Sequence, residues 1–222
     1  MELAPLGSLN TYLKDHFCSM TWEEKITALL DISMGLYHLH KSDLIHRDFH
    51  PGNLLYSVGK NLLITDLGLC QSVNQNLESE PYGNKPYTAP EIFLEKKQYS
   101  TADDIYSFGW VAYEIIVGPL PDEYKKIDNT YNRPKIPKYV PERIAKLIWD
   151  CWKKETDRPT AECLRNTIKR CYRSIKKKKQ NEFTKEVNNA EKMRQHSAFE
   201  HYEFDINSEN KRYRQLNLEN RK

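Results

Sequence analysis

Apolar residues recur along this chain in two rhythms, and the switches between them mark out its elements. Ile26, Leu29, Leu30, Leu36 and Leu39 fall mostly three and four residues apart, the spacing that turns one helical face toward a core. Thr21-Trp22-Glu23-Glu24 opens this stretch as a capping box, the Thr hydroxyl serving a free amide while Glu24 reaches back, and the helix is predicted to end near His40. The rhythm then breaks into three short apolar runs, Leu44-Ile45, Leu54-Leu55-Tyr56 and Leu62-Leu63-Ile64, which read as small strands separated by loops. From Ile105 to Val117 apolar residues lie on every side, which predicts a buried axial helix with its N-terminal cap in Thr101-Ala102-Asp103-Asp104. Gly118-Pro119-Leu120-Pro121 stops it. After a polar stretch punctuated by Pro up to Pro141, helical spacing returns in Ile144, Leu147, Ile148, Cys151 and Trp152. Thr160 then caps a helix carrying Cys163, Leu164, Ile168 and Cys171.

Composition changes this picture at one place. The chain has 222 residues, 39% hydrophobic and 29% charged, enough for one domain with a sizeable core. No apolar run approaches the ~20 residues of a membrane span, and no signal peptide is present. The five cysteines show no paired spacing and read as reduced thiols of a cytoplasmic protein. From about Ile175 Gly and Pro vanish and Lys176-Lys177-Lys178-Lys179 begins a basic segment. Residues 175–222 hold 12 of the 34 Lys and Arg against 8 of the 31 Asp and Glu, so the whole positive surplus lies there. Phe183, Val187, Ala190 and Met193 could line a helix within it, and the remainder reads as disordered. Either it is a solvated charged tail or it contacts an acidic partner; no DNA binding is expected, since the aromatics belong to the core.

The candidate chemistry lies between the first two apolar runs. His46-Arg47-Asp48-Phe49-His50-Pro51-Gly52-Asn53 places a carboxylate and a carboxamide on one tight loop, and Asp66-Leu67-Gly68 follows the third run. A base, an amide ligand and a metal-binding acid are the means of phosphoryl transfer through Mg²⁺. Here the sequence resembles the protein kinase family, whose catalytic loop is H-R-D-x-x-x-x-N and whose metal motif is D-F-G, with Leu67 standing in place of the Phe. Ala89-Pro90-Glu91 matches the family's A-P-E, Asp104-Ile105-Tyr106-Ser107-Phe108-Gly109 is similar to the start of its central helix, and Asp157-Arg158-Pro159-Thr160 is similar to its late Arg motif. The resemblance covers roughly residues 1–174.

It implies a protein-kinase-like α+β fold: the mainly α-helical large C-lobe, with short β-strands flanking the catalytic loop and the small N-lobe absent. Residues 1–174 would be hinge and C-lobe, and 175–222 the basic tail. Met1 to Leu9 resembles the hinge, with no Gly-rich loop, strand Lys or partnering Glu before it, so the chain alone is expected to show little turnover. The implied cofactors are ATP and Mg²⁺, and the implied partners are protein substrates in signal transduction. Asp48 would accept the substrate hydroxyl's proton, and Asn53 and Asp66 would hold the metal and so bind the cofactor, with Glu2 and Leu55 as further ATP contacts. Arg47 would pair with a phosphate or acid on an activation loop at 69–88, whose candidate acceptors are Ser72, Ser79, Tyr82 and Thr88. Asp104 would hold the His46-Arg47 backbone, and Glu91 and Arg158 would form a buried ion pair.

Two positions depart from the Ser/Thr pattern. His50 replaces the usual Lys two residues after the catalytic Asp, and Gly83-Asn84 replaces Gly-Thr. A His50–Asn84 contact would keep the geometry with a weaker, pH-sensitive charge, since free His titrates near ~6.5. Trp152 with Asp-Arg-Pro-Thr suggests Ser/Thr specificity in the tyrosine-kinase-like style, with Tyr left open. His50-Pro51-Gly52-Asn53 is also similar to small-molecule phosphotransferases of the wider fold, and a docking-only pseudokinase is a further alternative.

Overall fold

The structure, a computed structural model, describes residues 6–73, 86–120 and 133–193. Helix α1 (Leu9–His16) is opened by Ser8, whose hydroxyl accepts the Thr11 amide. Helix α2 (Trp22–Lys41) begins at the expected capping box, in which Thr21 Oγ1 accepts the Glu24 amide at 3.2 Å and Glu24 Oε2 accepts the Thr21 amide at 2.7 Å. Four short strands follow: β1 (Leu44–Ile45), β2 (Leu54–Tyr56), β3 (Leu62–Ile64) and β4 (Gln71–Ser72). They form two antiparallel pairs, β1 with β4 and β2 with β3, with Leu54 opposite Ile64 and Leu44 opposite Ser72. The loop between β1 and β2 is thereby tied down at both ends.

Helices make up the rest: α3 (Pro90–Leu94), α4 (Thr101–Val117), α5 (Glu142–Cys151), α6 (Ala161–Lys176) and a final stretch α7 at 182–193. Every residue from Asp103 to Ile116 is buried, so α4 is the axis that its all-round apolar sequence foretold. Its cap lies one residue earlier than expected. Ser100 has extended backbone (φ −129°, ψ 169°) and its hydroxyl accepts the Ala102 amide, while Asp103 Oδ2 accepts the Ser100 amide at 2.6 Å; Thr101 is already helical. At the other end Gly118, at φ 129°, turns the chain out of the helix in a region disfavoured for residues with a Cβ. Lys25 of α2 is buried there beside the Phe17 ring and donates to the Ile116 carbonyl at 2.9 Å, satisfying a carbonyl the helix leaves open.

The core joins α2, α4, α5 and α6, and it extends past the last expected apolar helix. Phe183, Val187 and Ala190 of α7 are buried in the same cluster, whereas Met193 is exposed. Pro141 at the N-cap of α5 has no side-chain group to offer, and Glu186 of α7 accepts the Glu142 amide instead, at 3.1 Å. Of the tail residues expected to be disordered, Ile175 and Lys176 instead complete α6, and 194–222 lie outside the described ones. All five cysteines are free thiols, and no described helix is long and apolar enough to cross a membrane.

Candidate functional site

The loop from His46 to Asn53 hangs from α4. Asp104 accepts the His46 amide at Oδ2 (2.8 Å) and the Arg47 amide at Oδ1 (3.0 Å), as expected of it. Its Oδ2 also meets His40 Nε2 at 2.8 Å, so the histidine near which the helix was predicted to end links α2 to the loop's anchor. His46 is fully buried and braces the loop from within. Its Nδ1 accepts the Asp48 amide at 3.3 Å, which leaves the ring proton on Nε2 to donate to the Thr65 carbonyl at 3.0 Å.

Thr65 is a second residue that sequence reasoning passed over. Its amide and hydroxyl both donate to the Asn53 carbonyl at 2.9 Å. The residue before Asp66 is thus clamped to both ends of the loop, which brings Asp66 to the loop carrying Asp48 and Asn53. Asp66 sits in the left-handed region (φ 58°, ψ 59°), a conformation Asp adopts more readily than most residues, and its side chain is exposed. The one weak signal for Thr65 was a hydrogen-bonding, β-branched residue directly between an apolar run and a candidate metal acid.

Within the loop, Asn53 Nδ2 donates to the Asp48 carbonyl at 2.9 Å and to Asp48 Oδ2 at 3.0 Å. Both hydrogens of the amide are spent on Asp48, so Asn53 Oδ1 remains as a free oxygen donor. An amide oxygen and an exposed carboxylate suit a hard cation such as Mg²⁺, which keeps other positions for water and phosphate oxygens. Among the described residues no cluster of three His, Cys, Asp or Glu side chains could hold a metal alone. Burial, together with the Asp104 and Asp66 charges, pushes the nearby Cys70 thiol up to about 11, which keeps it protonated near neutral pH.

His50 lies beside Asp48, its Nε2 3.4 Å from Asp48 Oδ2, and its ring centroid is 5.9 Å from that of Tyr87. Arg47, at φ 71°, holds its guanidinium 4.5 Å from the Tyr99 ring centroid. Leu55 is half-buried on β2 and bridges to Ser8. Glu2 lies outside the described residues, as do Asn84, Ser79 and Tyr82. Of the remaining candidate phosphate acceptors, Ser72 is half-buried in β4 and Thr88 is buried, so Thr88 does not present its hydroxyl to a modifying enzyme.

Residues 86–91 are fastened to the same axis. Ser107 Oγ donates to the Tyr87 carbonyl at 2.7 Å, and the buried Tyr87 hydroxyl donates to Glu114 on α4. Glu91 pairs with Arg158, whose Nε also donates to the Lys153 carbonyl at 2.9 Å. The expected buried ion pair is therefore present.

The family model of protein tyrosine and serine/threonine kinases matches residues 1–168. A Dictyostelium discoideum protein named as a probable serine/threonine-protein kinase is 34% identical over 164 residues, 70% of this chain and 27% of the relative. Human receptor-interacting serine/threonine-protein kinase 3 is 32% identical over 185 residues, 72% of this chain and 36% of its own length. A dual specificity protein kinase of Dictyostelium discoideum is 34% identical over 131 residues, 55% of this chain and 10% of the relative. The chain thus spans a minor part of each.

Proposed function

The chain belongs to the protein tyrosine and serine/threonine kinase family, and from that premise we propose that it phosphorylates protein hydroxyls from ATP, with Ser/Thr as acceptors. The observation that carries this reading is the pair of Asn53 bonds to Asp48, which orient a carboxylate as base and an amide oxygen as metal ligand in one stroke. In this reading residues 1–174 are the hinge and helical large lobe and residues 175–222 a basic tail. Asn53 and Asp66 would hold Mg²⁺, which would neutralise charge developing on the transferring phosphate.

Asp48 accepts the proton of the acceptor hydroxyl and orients its oxygen for in-line attack. Asp104 and His46 keep the loop from moving as the reaction proceeds, so little reorganisation is needed at the moment of transfer. Arg47, whose guanidinium lies against the Tyr99 ring, would pair with a phosphate or acid on the activation loop. Positioning of this kind accelerates transfer only when ATP is itself held in place, at Leu55 and Glu2 among other contacts.

The test measures Mg-ATP-dependent phosphorylation of a Ser/Thr protein substrate by the native protein that carries this sequence. It should be active, and Asp48→Asn should lower its kcat by about 10²-fold or more. No activity, with tight binding of a partner protein, would make this a docking module.

A further inference from the structure

One side chain beside Asp48 has one ring nitrogen committed to the backbone and the other turned toward the base. His50 opens the short turn Pro51–Asn53 with extended backbone (φ −150°, ψ 166°), and its Nδ1 accepts the Gly52 amide at 3.1 Å. A ring nitrogen that accepts a hydrogen bond carries no proton, so the hydrogen of this imidazole sits on Nε2. Nε2 stands 3.4 Å from Asp48 Oδ2, the same oxygen that accepts from Asn53 Nδ2 at 3.0 Å. Gly52 is what allows this. A Cβ there would lie 2.7 Å from His50 Cε1 and 2.9 Å from Nδ1, so any larger residue pushes the ring off the turn.

We infer that His50 is a positioning residue for the base: Gly52 fixes it as the Nε2–H tautomer, and it joins Asn53 in holding Asp48 Oδ2, leaving Oδ1 as the oxygen that takes the proton. The inference rests on the role given to Asp48 above. In the transfer, the acceptor O–H bond breaks and its proton passes to Asp48 Oδ1. The acceptor oxygen bonds to the γ-phosphorus, and the bond from that phosphorus to the bridging oxygen breaks with its electron pair leaving on ADP. His50 gains and loses no proton in this sequence. The 3.4 Å separation exceeds hydrogen-bond length, and contacts of this kind tighten when substrate is bound.

The residue type follows from the two contacts. Lys has donors only, so at position 50 it could not accept the Gly52 amide, and it would bring a full charge to Asp48. His50 replaces that cation with a donor whose direction the backbone sets. Asn84, the partner that the sequence suggested for His50, lies outside the described residues.

Side-chain ¹⁵N correlation spectra of the 222-residue chain at about pH 8, above the ordinary imidazole range, report the tautomer directly, with His50 identified by its loss in His50→Gln. The expected result is a single Nε2–H form whose Nε2 signal moves in Asp48→Asn. An Nδ1–H form, a mixture, or an Nε2 signal indifferent to Asp48 overturns the inference. These spectra need no turnover, so failure of the kinase reading and failure of this one are separate results. In a preparation that phosphorylates, two near-isosteric variants divide the contacts. Gln can place an N–H where Nε2 stood, whereas Asn can keep only the acceptor near Nδ1. His50→Asn should lose about tenfold more kcat than His50→Gln, with KM for ATP within about twofold in both. The opposite order overturns the inference.

Discussion

Asp103 and Asp104 are neighbours on the first turn of α4, yet they enter two regions that bury charge in different ways. Asp104 faces the catalytic loop and is saturated by oriented donors: two loop amides and His40. Asp103 faces the Glu91–Arg158 pair. Its Oδ2 is occupied by Ser100, but its Oδ1 has no hydrogen-bond partner among the described residues and lies 3.8 Å from Arg158 Nη1. There two carboxylates share one guanidinium. Burial pushes Asp103 up to about 7, with the Glu91 charge adding to the shift and the Ser100 amide and Arg158 opposing it. Backbone dipoles thus hold one region at fixed geometry, while the other carries a surplus of negative charge that makes it sensitive to pH.

The strongest way to break this contrast is Arg158→Ala. It strands two buried carboxylates, and a loss of about 3–5 kcal/mol is expected in thermal or urea unfolding. Asp104→Asn should cost less, about 1–3 kcal/mol, because an amide can still accept from some of its donors. Its larger effect should fall on the loop: faster hydrogen exchange at the His46 and Arg47 amides and reduced turnover, with KM for ATP little changed. Stability lost without faster exchange at those amides would show that Asp104 does not hold the loop.

Asp103→Asn should have the smallest effect on absolute stability, about 1 kcal/mol. Its signature is the pH dependence. The folded value lies above the unfolded 3.8, so the folded protein binds the extra proton between those values. The stability this contributes is complete below the unfolded value and is lost as pH rises through about 7. The variant should flatten that fall, reducing the difference between urea midpoints at about pH 4 and about pH 8. An unchanged slope would mean that Arg158 balances both carboxylates.

How much could be read from sequence depended on how far apart the partners lie. Thr21 and Glu24 are three residues apart, so their capping box was legible before any fold was known. The cap of α4 was displaced by one because Ser100 and Thr101 are both good capping residues, and only the backbone angles choose between them. His40 could not be placed, since its partner Asp104 is 64 residues away. Thr65 was missed for the same reason, its role resting on contacts with both ends of a loop earlier in the chain. Met193 shares the spacing of Phe183, Val187 and Ala190, but at the end of α7 no described element covers it.

By itself, then, the sequence determined the helices with their stripes, three short strands around a polar loop, and the acid, amide and acid that define the family. These follow from side-chain spacing and from motifs whose members are close along the chain. Only the tertiary structure decided that Asp103 joins the Glu91–Arg158 ion cluster, which tautomer His50 adopts, and that α7 completes α5. Each of those depends on a donor meeting an acceptor in a buried setting, where an unpaired polar group is costly, and the fold alone brings such partners together.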